Sequence, residues 1–169
     1  MLFGKPRAVW RDRRSDPKMN ILFLCTGNSC RSILAEATFN HLAPPGWHAM
    51  SAGSHPAGYV HPRSLALLAR EGIPTEGTHS KSWDHLPQTP DIVITVCASA
   101  AGETCPAYLG PALRAHWGVE DPAHATGTDE EIDAAFMTAL WHTSAYGPEL
   151  NSSLRHTPSN TPLSCVARV

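Results

Sequence analysis

Eight consecutive residues carry the groups needed to hold a tetrahedral anion and attack it: Cys25-Thr26-Gly27-Asn28-Ser29-Cys30-Arg31-Ser32. Arg31 offers a planar fork that matches two oxygens of such an anion. Gly27 and Asn28 tolerate the positive φ needed to curl a loop around it. The run from Thr26 to Ser32 then forms the binding cradle, with Cys25 as the nucleophile. In the positive field of that cradle Cys25 is expected to titrate below a free thiol. Ser32 can donate a hydrogen bond to the thiolate and help it leave later. Cys30 reads as a structural member of the loop. A purely structural loop around a buried cysteine is the bland alternative, and Cys-x5-Arg alone would not exclude it.

Context strengthens the reading. Residues 20–24 form a short segment, apolar without a break from Ile21 to Leu24, as expected of a buried parallel strand. After the loop, Ile33, Leu34, Ala37, Phe39 and Leu42 recur at helical spacing until Ala43-Pro44-Pro45-Gly46 ends the pattern. The carboxyl end of a parallel strand is where open α/β sheets bind ligands, and a helix start adds free N–H groups and a positive dipole end. Residues 47–51 predict a second strand, and His61-Pro62-Arg63 opens a second helix that stops near Gly72. Asp91-Ile92-Val93-Ile94-Thr95-Val96 is the strongest strand signal, rich in β-branched residues. A short strand follows at residues 113–117, and Asp129-Glu130-Glu131 starts a helix expected to end about Leu140. Strands alternating with helices predict a parallel sheet with right-handed crossovers.

Beyond Trp141 the apolar periodicity stops, and Pro148, Pro158 and Pro162 lie among Ser, Thr and Asn. The expected organisation is a basic, disordered extension over residues 1–18, a domain over 19–144 and an irregular tail over 145–169, with Met19 a plausible alternative start. The 169-residue chain is 42% apolar, which suits one compact domain, and its formal net charge is −2. That near-neutrality hides +4 in residues 1–18 and −6 in the rest. An acidic body argues against nucleic-acid binding. No apolar run approaches a membrane span, and a cytoplasmic monomer is expected.

Together the loop Cys25–Ser32, the strand before it and the helix carrying Glu36 after it resemble the low-molecular-weight phosphotyrosine phosphatase superfamily, which includes bacterial arsenate reductases. The likeness covers about residues 19–140. It implies a three-layer α/β sandwich around a four-stranded parallel sheet. It also implies that Arg31 and the loop amides hold the oxyanion, and that Asp121 of Asp121-Pro122 is the general acid. A leaving oxygen needs such a proton donor, and the proline stiffens the segment that carries it.

The same loop suits phosphate or arsenate. Phosphatases of this fold usually place an aromatic residue after Asp-Pro, whereas Pro122 is followed by Ala123 and His124. The stretch 116–123 is similar to the reductase version. Cys97, at the carboxyl end of the strong strand and so on the same sheet edge as Cys25, is by itself most simply a small buried hydrophobe. Paired with Cys105, the resemblance makes it a relay: Cys25 attacks arsenic, Cys97 attacks Cys25, and Cys105 then displaces Cys25 and leaves a Cys97–Cys105 disulfide. On a continuous helix those two Cα atoms would lie about 12 Å apart, while a disulfide needs less than ~7 Å. The soft segment between them, residues 98–104, must therefore be a loop or rearrange.

The implied partners are an arsenate or phosphate oxyanion and an external thiol reductant, either thioredoxin or a glutathione–glutaredoxin system. No bound cofactor or metal is expected, because the cysteines and ten histidines lack zinc-site spacing. Cys165 reads as incidental. Some relatives bind a monovalent cation near Asn28, Glu36 and Ser51, but Ser80 stands where those members carry a carboxylate. The family normally continues its last helix, whereas here the face of Ile132, Phe136 and Leu140 is expected to break off. A phosphatase acting on phosphate monoesters through a Cys25 phosphocysteine is the alternative enzyme reading. A defective, oxyanion-binding paralogue is the non-catalytic one.

Overall fold

The computed structural model describes residues 18–98, 100 and 111–154, with side chains described up to Ser144. Residues 1–17 of the basic extension, Cys105, Cys165 and most of the 98–104 segment therefore lie outside the described residues. Four strands form one sheet: β1 (Met19–Cys25), β2 (Trp47–Gly53), β3 (Ile92–Thr95) and β4 (Leu113–His116). Their order is β2-β1-β3-β4, and every pairing is parallel. This is the four-stranded α/β sheet expected from the alternation of elements.

Parallel strands buried on both faces explain the unbroken apolar runs. Alternate residues of β1 point to opposite sides. Ile21 and Phe23 enter a large core with Leu34, Phe39, Ile94, Trp117 and Phe136. Leu22 and Leu24 pack with Met50, Ala52 and Val93 on the other face, against Trp83 and Leu86. Phe23 lies centrally, with its ring 6.0 Å from Phe39 and 5.5 Å from Trp117, spacings that suit tilted aromatic packing.

Helix α1 (Arg31–Leu42) starts directly after the loop and ends where Ala43 turns extended, as the residue before Pro44 must. Helix α2 (Pro62–Arg70) has proline at its first position, and the His61 imidazole accepts from the Arg63 amide. Helix α3 (Asp129–Leu154) packs on α1 and α2. Arg63 ties the start of α2 to that of α3 through Asp129 and Asp133, both at 2.5 Å.

The last helix corrects the expected break at Leu140 and, with it, the boundary drawn at 144/145: α3 runs to Leu154. Apolar periodicity reports which face is buried, not where a helix stops. Phe136, Ala139 and Leu140 are buried, and Thr143 continues the same stripe at 5% exposure. The Thr143 and Ser144 hydroxyls both donate to the Leu140 carbonyl, at 2.8 and 2.7 Å, so polar residues lie on the helix without orphaned groups. A helix already nucleated and packed extends at little further cost. None of the helices among the described residues is long and apolar enough to cross a membrane.

Candidate active site

The carboxyl edge of the sheet gathers the chemistry. β1 ends at Cys25 and hands over to a loop of five residues before α1 begins at Arg31. The loop carbonyls turn away from the cradle: Thr26 accepts from the His55 amide at 2.9 Å, Gly27 from Ala57 at 2.8 Å and Ser29 from His61 at 3.0 Å. That orientation suits a loop whose amides face an anion. The Asn28 amide donates to Cys25 Sγ at 3.0 Å. Cys25 Sγ also lies 2.9 Å from Ser32 Oγ, as expected of a hydroxyl that stabilises the sulfur.

Asn28 is the one described non-glycine residue at positive φ, 45°. Its side chain fixes that conformation, since its amide group donates to Ser32 Oγ at 2.8 Å and Ser51 Oγ at 2.9 Å. Its oxygen accepts from the Lys81 amide at 2.7 Å. Three contacts on three segments thus hold one strained residue, the usual condition for such strain to persist.

Gly53, opposite Cys25 in the sheet register, is the loop's floor. A Cβ there would lie against the Thr26 carbonyl oxygen and 3.0 Å from Asn28 Cβ. Gly53→Ala is therefore expected to cost about 1–3 kcal/mol of stability by overpacking. Because the strain falls on the cradle, it should also weaken phosphate binding. Denaturant unfolding and a phosphate titration measure the two effects.

Arg31 reaches across the edge to the segment after β4. Its guanidinium donates to Asp121 at 2.7 Å and to the Val119 carbonyl at 3.1 Å. The two side chains are 14% and 26% exposed, so the pair is partly shielded from water. Asp121 also caps a short turn, its carboxylate accepting from the Ala123 amide at 3.1 Å. The predicted oxyanion binder and the predicted acid are thus in direct contact.

Cys97 follows β3 on the same edge, 2% exposed. Its sulfur is 3.7 Å from Thr26 Oγ1 and accepts from the Ala100 amide at 3.3 Å. Cys25, Cys30 and Cys97 all carry free thiols. Burial pushes the Cys30 thiol above its ordinary range, which keeps it protonated and a poor nucleophile.

The structure brings together Cys25, Thr26, Asn28, Arg31, Ser32, Cys97 and Asp121. Sequence reasoning missed Gly53, Val119 and Lys81, whose roles come from backbone approach and side-chain reach and leave no motif. Nor does the implied cation site fit. The Asn28 oxygen is taken by the Lys81 amide, and the Lys81 ammonium stands 3.3 Å from Glu36. Among the described residues no group of three or more His, Cys, Asp or Glu side chains could hold a metal ion.

Comparison with known proteins places these features in one family. Residues 20–142 match the model of the low molecular weight phosphotyrosine protein phosphatase family. An arsenate reductase of Halalkalibacterium halodurans is 42% identical over 120 residues, which are 70% of this chain and 85% of that protein. A solved arsenate reductase in its phosphate-binding state superimposes with a TM-score of 0.66 at 25% identity, over 80% of this chain and 98% of that one. A thioredoxin-dependent arsenate reductase of Corynebacterium glutamicum has a TM-score of 0.62 at 24% identity, over 83% of this chain and 64% of that one. The family match spans the sheet, the loop, Asp121 and most of the packed length of α3, so the chain belongs to the low molecular weight phosphotyrosine protein phosphatase family.

Proposed function

We propose that the protein reduces arsenate to arsenite through a relay of cysteine thiols. The observation that carries this reading is Cys97, a second thiol beside Thr26 on the sheet edge that bears Cys25. Phosphate-ester hydrolysis needs one sulfur; a two-electron reduction needs a pair that becomes a disulfide. The similarity to proteins named arsenate reductases supports the same reading.

In the first step the Cys25 thiolate attacks arsenic(V), held by Arg31 and the loop amides. An oxygen leaves as water, protonated by Asp121. Cys97, as thiolate, then attacks Cys25 Sγ. The S–As bond breaks with its electron pair going to arsenic, which departs as arsenite, and a Cys25–Cys97 disulfide forms. Cys105 attacks Cys97, returns Cys25 as thiolate and leaves Cys97–Cys105. An external dithiol restores the pair: thioredoxin, or glutathione with glutaredoxin. Such reductants belong to the cytoplasm, where thiols are kept reduced.

Purified protein with arsenate and a thiol reductant is expected to release arsenite. Proteolysis of the arsenate-oxidised protein should give a peptide pair linked through Cys97 and Cys105, with Cys30 unlinked. Absence of arsenite under these conditions would refute the assignment.

Hydrolysis of phosphate monoesters is the second reading, because Cys25, Arg31 and Asp121 suffice for it and the Arg31–Asp121 contact does not involve Cys97. Aryl-phosphate hydrolysis without arsenate reduction would select it. The non-catalytic reading rested on a broken last helix, and the continuous α3 removes that ground.

A further inference from the structure

Behind the cradle, a polar network runs from the nucleophile into the body of the domain. Ser32, which touches Cys25 Sγ, accepts from Asn28, which also donates to Ser51, whose hydroxyl in turn donates to Glu36. Ser32 and Glu36 lie one helical turn apart on α1, so both face β2. Asn28, Ser32 and Ser51 are fully buried. The network therefore ends in a carboxylate with little water around it: Glu36 is 20% exposed. A carboxylate in such a place requires a positive partner.

Lys81 supplies it. Its side chain is 11% exposed, and its ammonium meets three oxygens: Glu36 Oε2 at 3.3 Å, Ser51 Oγ at 3.5 Å and the His79 carbonyl at 3.2 Å. Three oxygens around one small, compact charge are also what a monovalent metal ion would take. The Lys81 backbone is held separately, with its amide on Asn28 Oδ1 at 2.7 Å and its carbonyl accepting from Gly53 at 2.9 Å. Main chain and side chain of one residue thus brace the loop from two directions.

We propose that Lys81 is a positioning residue whose ammonium acts as a tethered cation for Glu36 and Ser51, making oxyanion affinity independent of monovalent cations in solution. The inference concerns oxyanion binding at the site assigned above and rests on that assignment for its link to turnover. Lys81→Met removes the charge and keeps the backbone contacts. The orphaned Glu36 carboxylate then pulls on Ser51, and through it on Asn28 and the loop.

The test is titration with inorganic phosphate, together with thermal unfolding, in potassium chloride and in choline chloride of equal ionic strength. The wild-type protein should bind phosphate equally in both. Lys81→Met in choline chloride should bind about tenfold more weakly, the scale of one lost charge-assisted contact, and unfold about 4 °C lower. Potassium should restore both values saturably, because it can occupy the vacated oxygen cage. A merely structural lysine would not be rescued, and failure of rescue overturns the proposal. So does a potassium response in the wild type, or unchanged phosphate binding by Lys81→Met in choline chloride. Where Lys81→Met does not fold, Lys81→Met/Glu36→Gln lacks the orphaned carboxylate and should fold and ignore potassium; a potassium response there is also contrary. Neither readout involves arsenic, so a protein that reduces no arsenate can still pass this test.

Discussion

Cys97→Ser is expected to lower arsenate turnover by at least about a thousandfold, in line with the removal of an essential nucleophile. Hydrolysis of an aryl phosphate should stay within about threefold of the wild-type rate. The substitution is close to isosteric, so the buried site keeps its packing. A serine hydroxyl can still meet Thr26 and the Ala100 amide, the sulfur's hydrogen-bonding contacts among the described residues. What disappears is the ability to attack Cys25 sulfur and accept it in a disulfide. Under the proposed relay, the arsenic adduct on Cys25 then has no internal route to arsenite. Parallel assays of arsenite release and aryl-phosphate hydrolysis separate the two outcomes. If arsenate reduction survives at the wild-type rate, the relay through Cys97 is wrong.

Arg31→Lys is expected to act on both reactions alike, lowering kcat/KM by about 100- to 1000-fold, the range seen for loss of one oriented oxyanion donor. Charge is conserved, so any loss reports geometry. In the free protein the guanidinium spans Asp121 and the Val119 carbonyl at once, a task that suits a planar fork with several fixed donors. An ammonium is a point charge and cannot hold that segment while presenting two parallel donors to an anion. In the proposed mechanism the anion also draws Arg31 from Asp121, which frees that carboxyl group to protonate the leaving oxygen. With lysine, both anion affinity and the placement of the acid should suffer. Steady-state kinetics with arsenate and with an aryl phosphate, together with a phosphate inhibition constant, measure this. Equal activity of the two proteins would show that charge alone suffices.

Local chemistry made much of this protein legible before its fold was known. Residues 21–24 are apolar without a break because β1 is buried on both sides, and that pattern survives in any reading of the chain. The run from Cys25 to Ser32 announces an anion loop because strand end, loop and helix start are contiguous in sequence. Asp121-Pro122 and Cys97 were visible as residue types. The end of its strand also put Cys97 on the edge that bears Cys25; what stayed hidden was the contacts, Cys97 with Thr26 and Asp121 with Arg31, which depend on how β3 and β4 pack beside β1.

Where the sequence reading failed, the cause was physical. The extent of α3 escaped because Thr143 and Ser144 satisfy their hydroxyls on the Leu140 carbonyl, which hides a helix from an apolar pattern. Gly53 carries no signal, since its role is the space it leaves for Thr26 and Asn28 from another strand.

Lys81 belongs to no motif in the sequence. The sequence by itself determined the strand–loop–helix unit and the residue types that do chemistry there, because those depend on near neighbours along the chain. Only the tertiary structure decided which acid meets Arg31, which thiol borders Thr26 and which cation faces Glu36. Those choices are contacts across 45 to 90 positions of sequence, and only the packing of the sheet and its helices makes them.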